Sequence, residues 1–215
     1  MSTQILRAIL GSCFAIALGL SEASARAAAT ITARQIGPHV VLTGVGSLDL
    51  HALTFLQRAP RWFNYFSTRP DDSEFQVGPA PSSSADLYDC GGLDACISGP
   101  ANFGKPGESY FFPDFGFGDA FGYWDFDGYR GITVPVAYVS GSELAGSSIY
   151  LDRTLAQMGI KLGTTVYSWG SGATADSIRF TTEAPGPLPL VGAASALAWS
   201  RLLRHRLRAA ARWPR

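Results

Sequence analysis

The sequence predicts an all-β fold, a β-sandwich or jelly-roll-like single domain. Three observations carry the prediction. Short alternating runs rich in Val, Ile, Thr and aromatic residues recur through residues 28–183. Gly- and Pro-bearing turns separate these runs, and almost no segment there carries a helical period. Roughly seven to nine short strands with such turns suit two packed sheets.

Taken in order, Ala29-Thr-Ile-Thr-Ala-Arg-Gln35 alternates and is β-branched. Gly37-Pro38 then turns the chain, and His39 to Val45 returns as the second strand of a hairpin. Gly46 to Leu50 and Leu53 to Leu56 are expected to continue that sheet. Arg61-Trp-Phe-Asn-Tyr-Phe66 is short and aromatic, a run that fits a pleated, half-buried face. Pro79 to Ser84 reads as a surface loop. Gly and aromatic residues dominate from Asn102 to Gly131 without either hydrophobic period, so irregular structure is expected there. Ile132 to Val139 reads as a strand whose Pro135 argues for an edge or a bulge. Ser147 to Leu151 is a further strand, and Asp152 is placed to cap one helical turn over Arg153 to Met158. Thr164 to Trp169 and Asp176 to Thr181 alternate on either side of a Gly-rich connection and form the closing pair.

The two ends differ in kind from this body. Arg7 precedes an apolar run from Ala8 to Leu20, and Ser21-Glu-Ala-Ser-Ala-Arg-Ala27 offers small residues for cleavage after Ala25 or Ala27. That is the pattern of a secretory signal peptide, a signal helix over residues 1–27. The chain is thereby expected to meet the secretion translocon and signal peptidase. At the other end, residues 184–215 hold three parts in sequence. Pro185, Pro187 and Pro189 lack amide protons and keep the chain extended. From Leu188 to Ser200 every residue is apolar or small, a span of about 20 Å if helical. Leu202 and Leu203 extend this short transmembrane helix if Arg201 snorkels. Arg201, Arg204, Arg206 and Arg208, with Arg212 and Arg215 beyond, carry no balancing acid and are expected to stay cytoplasmic.

The formal net charge of zero conceals an asymmetry. Residues 28–183 contain nine Lys and Arg against sixteen Asp and Glu. An acidic body excludes nucleic acid as partner, because binding it needs a basic face.

A proline motif, a short apolar helix and an arginine cluster in this order resemble the PEP-CTERM sorting signal of exported bacterial proteins. Pro185, Gly186 and Pro187 stand where Pro-Glu-Pro is usual. The stretches Tyr138 to Ser147, Thr154 to Gly159 and Tyr167 to Ser177 also resemble the body of small proteins carrying that signal. So does the block from Ile36-Gly37 to Gly46-Ser-Leu-Asp-Leu50. The resemblance implies an exosortase as partner and a transient stay in the inner membrane. It implies a cell-surface or extracellular-matrix destination associated with exopolysaccharide or biofilm. It supplies no catalytic residue, and no enzymatic activity is expected.

Three sets of residues remain as candidates for chemistry. Cys90 and Cys96, the pair left once Cys13 is removed with the signal peptide, are expected to form a local disulfide across Gly91-Gly92. His39 and His51 are the body's two histidines, and no serine sits in a nucleophile-elbow context, so no hydrolytic triad is expected. Asp114, Asp119, Asp125 and Asp127 lie among glycines and aromatics. Such a loop offers oxygen ligands for calcium, or carboxylates beside aromatics for glycan binding or, less readily, glycan hydrolysis. The spacing is not that of an EF-hand or a calcium-binding repeat, so no metal is assigned and the four remain calcium candidates.

Overall fold

The computed structural model describes residues 28–183 apart from 92–95, 106 and 108. The signal segment (1–27) and the tail (184–215) lie outside the described residues. With them go the sorting motif Pro185, Gly186 and Pro187 and the basic cluster Arg201, Arg204, Arg206 and Arg208.

The described residues form thirteen strands and one short 3-10 turn. In chain order the first seven are β1 (Ala28–Ile36), β2 (His39–Gly46), β3 (Thr54–Phe63), β4 (Phe66–Thr68), β5 (Asp72–Val77), β6 (Ser82–Asp89) and β7 (Tyr110–Phe111). They are followed by β8 (Phe115–Gly118), β9 (Phe121–Phe126), β10 (Tyr129–Pro135), β11 (Leu144–Tyr150), β12 (Gly163–Trp169) and β13 (Asp176–Glu183). Sheet A has the order β12-β13-β1-β2-β11-β8, and sheet B the order β3-β6-β10-β9-β5-β4-β7. The all-β prediction holds, as two facing sheets consistent with a β-sandwich.

The hairpin of β1 and β2 forms in the expected place, with Ile36 opposite His39. Gly37 takes φ +60 in its turn, a conformation that costs glycine little. The closing pair β12 and β13 is antiparallel, and β13 lies parallel to β1, joining the first and last described strands.

Four expectations need correction. Neither Gly46 to Leu50 nor Leu53 to Leu56 continues the first sheet: β2 ends at Gly46, and β3 opens sheet B. Residues 102–131 are not irregular throughout: they contain β7, β8 and β9 and the start of β10. Asp127 and Gly128, both at positive φ, turn β9 into β10 as an Asp-Gly hairpin. Pro135 marks neither an edge nor a bulge. It is the last residue of β10, which lies between β6 and β9. Asp152 sits at φ +50 and does not cap the turn that follows. Thr154 does: its Oγ1 accepts the Gln157 N–H at 3.2 Å, and Gln157 Oε1 accepts the Thr154 N–H at 2.8 Å. That is a capping box.

Between the sheets lies an aromatic core. Tyr123 of sheet B stacks on Tyr167 of sheet A with centroids 3.8 Å apart, and Phe75 meets Phe180 at 4.9 Å. Phe103, from the segment before β7, wedges against Phe66, Phe75 and Phe180. Each buried ring contributes about 1.5–3 kcal/mol by area, and well-placed pairs about 0.5–1.5 kcal/mol more.

Sheet B has a second interior. On a flat sheet β3 and β4 would be five strand spacings apart, about 24 Å. Yet only Asn64 and Tyr65 join them, and three Cα steps reach at most about 11 Å. The sheet must therefore curl until these strands meet. Its far face is accordingly buried: Ile132 and Val134 point into the sandwich core, whereas Thr133 between them points the other way and is still 0% exposed. Glu74, Gln76, Ser67 and Leu87 are buried on that same far face. Asn64 fixes the crossing by donating from Nδ2 to the Gly78 carbonyl at 2.8 Å.

The Cys90–Cys96 disulfide is present. Gly91 at φ +71 lets the chain double back, and its N–H donates to Asp89 Oδ1 at 2.7 Å. Among the described residues no helix is long and apolar enough to cross a membrane.

Candidate functional site

The densest polar chemistry lies within the curl of sheet B. Asp72 and Glu74 are alternate residues of β5, so both project from the far face about 7 Å apart. Asp72 accepts hydrogen bonds from the hydroxyls of Tyr110 (2.8 Å) and Tyr65 (3.2 Å). The two tyrosine rings meet edge to face at 5.3 Å, and the Arg69 guanidinium lies 5.1 Å over Tyr110 while bonding Asp71. Hydrogen bonding to Asp72, with burial second, pushes the Tyr110 hydroxyl up. Burial is the larger cause for Tyr65, whose pKa rises far above the tyrosine range.

Glu74 lies one step deeper and is 1% exposed. Gln76 donates from Nε2 to its Oε1. Burial holds the Glu74 carboxyl well above the usual carboxylate range, and the Tyr65 hydroxyl opposes that rise. Trp124 stands opposite Glu74 in the register and lies across Gly131, where a Cβ would come within 2.1 Å of the indole. Trp62, from the end of β3, packs on Trp124 at 6.4 Å. The Trp124 Nε1 and Thr133 Oγ1 atoms are buried without a hydrogen-bond partner among the described residues. Such an enclosure favours the protonated form of Glu74, while Asp72 stands at its rim beneath Tyr65 and the half-exposed Tyr110.

The four aspartates expected in one loop are not brought together. Asp114 and Asp119 flank β8: Asp114 Oδ2 accepts the Leu151 N–H at 2.7 Å, and Asp119 Oδ2 the Ala145 N–H at 2.9 Å. These bonds clasp both ends of a four-residue strand to the chain around β11. Asp125 belongs to sheet B, paired with Arg130 at 2.9 Å and bonded by the Tyr123 hydroxyl. Arg130 also donates to the Ile97 and Gly99 carbonyls, tying down the segment after the disulfide. Asp127 turns the β9–β10 hairpin. The calcium candidates Asp114, Asp119, Asp125 and Asp127 thus sit at separate places in the fold, each with its own local role. Among the described residues no group of three or more His, Cys, Asp or Glu is arranged to hold a metal ion.

The histidines are also apart. His39 Nδ1 accepts the Asp152 N–H at 3.1 Å, while His51 Nδ1 lies 2.5 Å from Asp49 Oδ1. Sequence reasoning passed over Tyr65, Asp72, Glu74 and Gln76. The Asp72-x-Glu74-x-Gln76 alternation was the available signal, but it reads as a solvent face unless the sheet is known to curl.

No family model, curated protein or solved structure matches the chain.

Proposed function

We propose that this is an exported protein, delivered to the cell surface or extracellular matrix by a PEP-CTERM-like tail and processed by an exosortase. Residues 1–27 act as the signal peptide. Residues 188–203 hold the precursor in the inner membrane, with Arg201, Arg204, Arg206 and Arg208 inside. The β-sandwich is the delivered cargo, and no enzymatic activity is assigned to it. The observation that carries the reading is the Cys90–Cys96 bridge. Structural disulfides persist in oxidising compartments, and this one supports the same destination as the two end segments.

A second reading, glycan binding through residues 102–131, is favoured by one observation. Tyr110, Phe112, Phe115 and Phe117 of that stretch are all 41–61% exposed. Aromatic faces beside hydroxyls are surfaces on which sugar rings stack. Extracellular polysaccharide is the partner both readings share.

Fractionation of producing cells tests the proposal. With an active exosortase the protein is expected at the surface or in the medium, and after exosortase deletion as a longer form in the inner membrane. Recovery in the cytoplasm under both conditions would overturn it.

A further inference from the structure

The pairing register of sheet A sets up a surface that its strands do not disclose singly. Thr164 is opposite Thr181, Thr181 opposite Thr32, Thr32 opposite Thr43, Thr43 opposite Ser147, and Ser147 opposite Phe117. Residues opposite one another share a face, and Ile31, Leu42, Ser148, Tyr167 and Phe180 between them point into the sandwich, so the six point out. The result is a transverse row of five hydroxyls, one per strand at steps of about 4.8 Å, ending on an aromatic ring. Thr164 and Thr181 already bond each other at 3.1 Å.

Apolar side chains border the row at its aromatic end. Val41, Ile149 and Phe115 line up on one side, and Val45 and Ala145 on the other. Phe117 is 61% exposed, Val45 60% and Phe115 52%, and between β2, β11 and β8 the surface forms a shallow groove. Charge is nearly absent. Of the fourteen acids among the described residues, only Glu183 lies on a strand position of this face, and Arg34 neutralises it at 2.7 Å. Arg179 is the one further charge there, opposite Thr30.

We infer that the outer face of sheet A binds an extended, uncharged polysaccharide laid across the strands, with its sugar rings against Phe115 and Phe117. The inference rests on the glycan-binding reading above and assigns it to these residues. The charge pattern selects the polymer. The face offers an anionic chain no basic cluster to pair with, and a neutral chain need desolvate no charge at the strand positions beyond Arg179 and the Arg34–Glu183 pair. The hydroxyl row both donates and accepts, as a partner made of hydroxyls requires. Its step matches roughly one pyranose ring, so successive sugars meet equivalent groups. The apolar borders suit the C–H faces of the rings.

Affinity electrophoresis of the full chain in detergent tests this, in gels holding mixed-linkage β-glucan, glucomannan, dextran or, as the anionic contrast, alginate. At least one neutral polymer is expected to retard the protein, and alginate not. The Phe115→Ala/Phe117→Ala variant is expected to bind at least tenfold more weakly, and Thr43→Val about threefold. Phe55→Ala, an exposed ring on sheet B outside residues 102–131, should bind as the parent does. Undiminished retardation of the double variant would overturn the surface while leaving polysaccharide as the partner. Retardation by alginate alone overturns the neutral-polymer inference. No retardation by any polymer overturns the surface and the glycan reading together, and leaves sorting to the fractionation test. Self-association in sedimentation that Phe117→Ala abolishes would make the face a contact between copies, and overturn the inference too.

Discussion

Phe63 packs edge-on against Phe112, ring centroids 6.4 Å apart, although one ends the first strand of sheet B and the other follows its last. This contact is the visible closure of the curl. It explains why a strand as polar as Asp72–Val77 is buried along its whole length.

Gly131 tests the packing inside the curl. A Cβ there would stand 2.1 Å from the Trp124 ring and 2.5 Å from the Tyr88 carbonyl, and the backbone oxygen cannot move aside cheaply. Gly131→Ala should cost about 1–3 kcal/mol, as overpacking does. The expected readout is a Tm lower by about 5 °C with red-shifted tryptophan emission. An unchanged Tm would mean that Trp124 does not lie over this strand.

Glu74 sets a pH dependence of definite sign. Its carboxyl titrates higher in the folded chain than in the unfolded one, so the folded chain retains a proton that the unfolded chain releases. Stability from this group is full below the unfolded pKa and is lost as pH rises through the folded value. Glu74→Gln keeps the shape and removes the titration. Its Tm should fall less than the parent's between pH 5 and pH 8, and parallel melting curves across that range would contradict the assignment.

Asp176 gives a second, local titration. Burial pushes its carboxyl up to about 6, against the Asp49 and Ser177 N–H groups that bond it at 2.5 and 2.6 Å. Because the folded value is raised, the contribution of Asp176 weakens as pH climbs from about 4 to 6. Carboxyl-carbon NMR should show a midpoint near 6; one below 4 would show that the two N–H bonds outweigh burial.

Most of the architecture was legible because local chemistry agreed with it. Gly37-Pro38 marked one hairpin, Thr164 to Thr181 alternated, and Cys90 and Cys96 stood close with glycines between. What escaped was long-range. That two residues span the mouth of a seven-stranded sheet is a fact about strand order, which no local pattern contains. Without it, Glu74 and Gln76 look like solvent-facing residues, and Trp62 and Trp124 like unrelated aromatics. The missed hairpin at Asp127-Gly128 is different in kind. Its turn signal is in the sequence, but Asp127 stands among oxygen-rich neighbours and reads equally as a calcium candidate. The cap is similar: Thr154 and Gln157 spell the capping box, whereas Asp152 has only the residue type of a cap.

The bridge stabilises modestly. Its closed loop is short, six residues of separation, and chain-entropy reasoning gives about 2 kcal/mol. Cys90→Ser/Cys96→Ser should therefore fold with a Tm lower by roughly 4–8 °C. Labelling of the exported parent without reductant should find no free thiol, and stoichiometric labelling would show that the bridge does not form in the cell.

The sorted-cargo reading is tested most directly by the intact mass of the protein recovered from cells with an active exosortase. The expected species begins near Ala28 and ends near Pro185 to Pro187, with the apolar run and all six terminal arginines gone. A recovered chain whose carboxyl terminus is still Arg215 would contradict sorting by cleavage and leave the tail a plain membrane anchor.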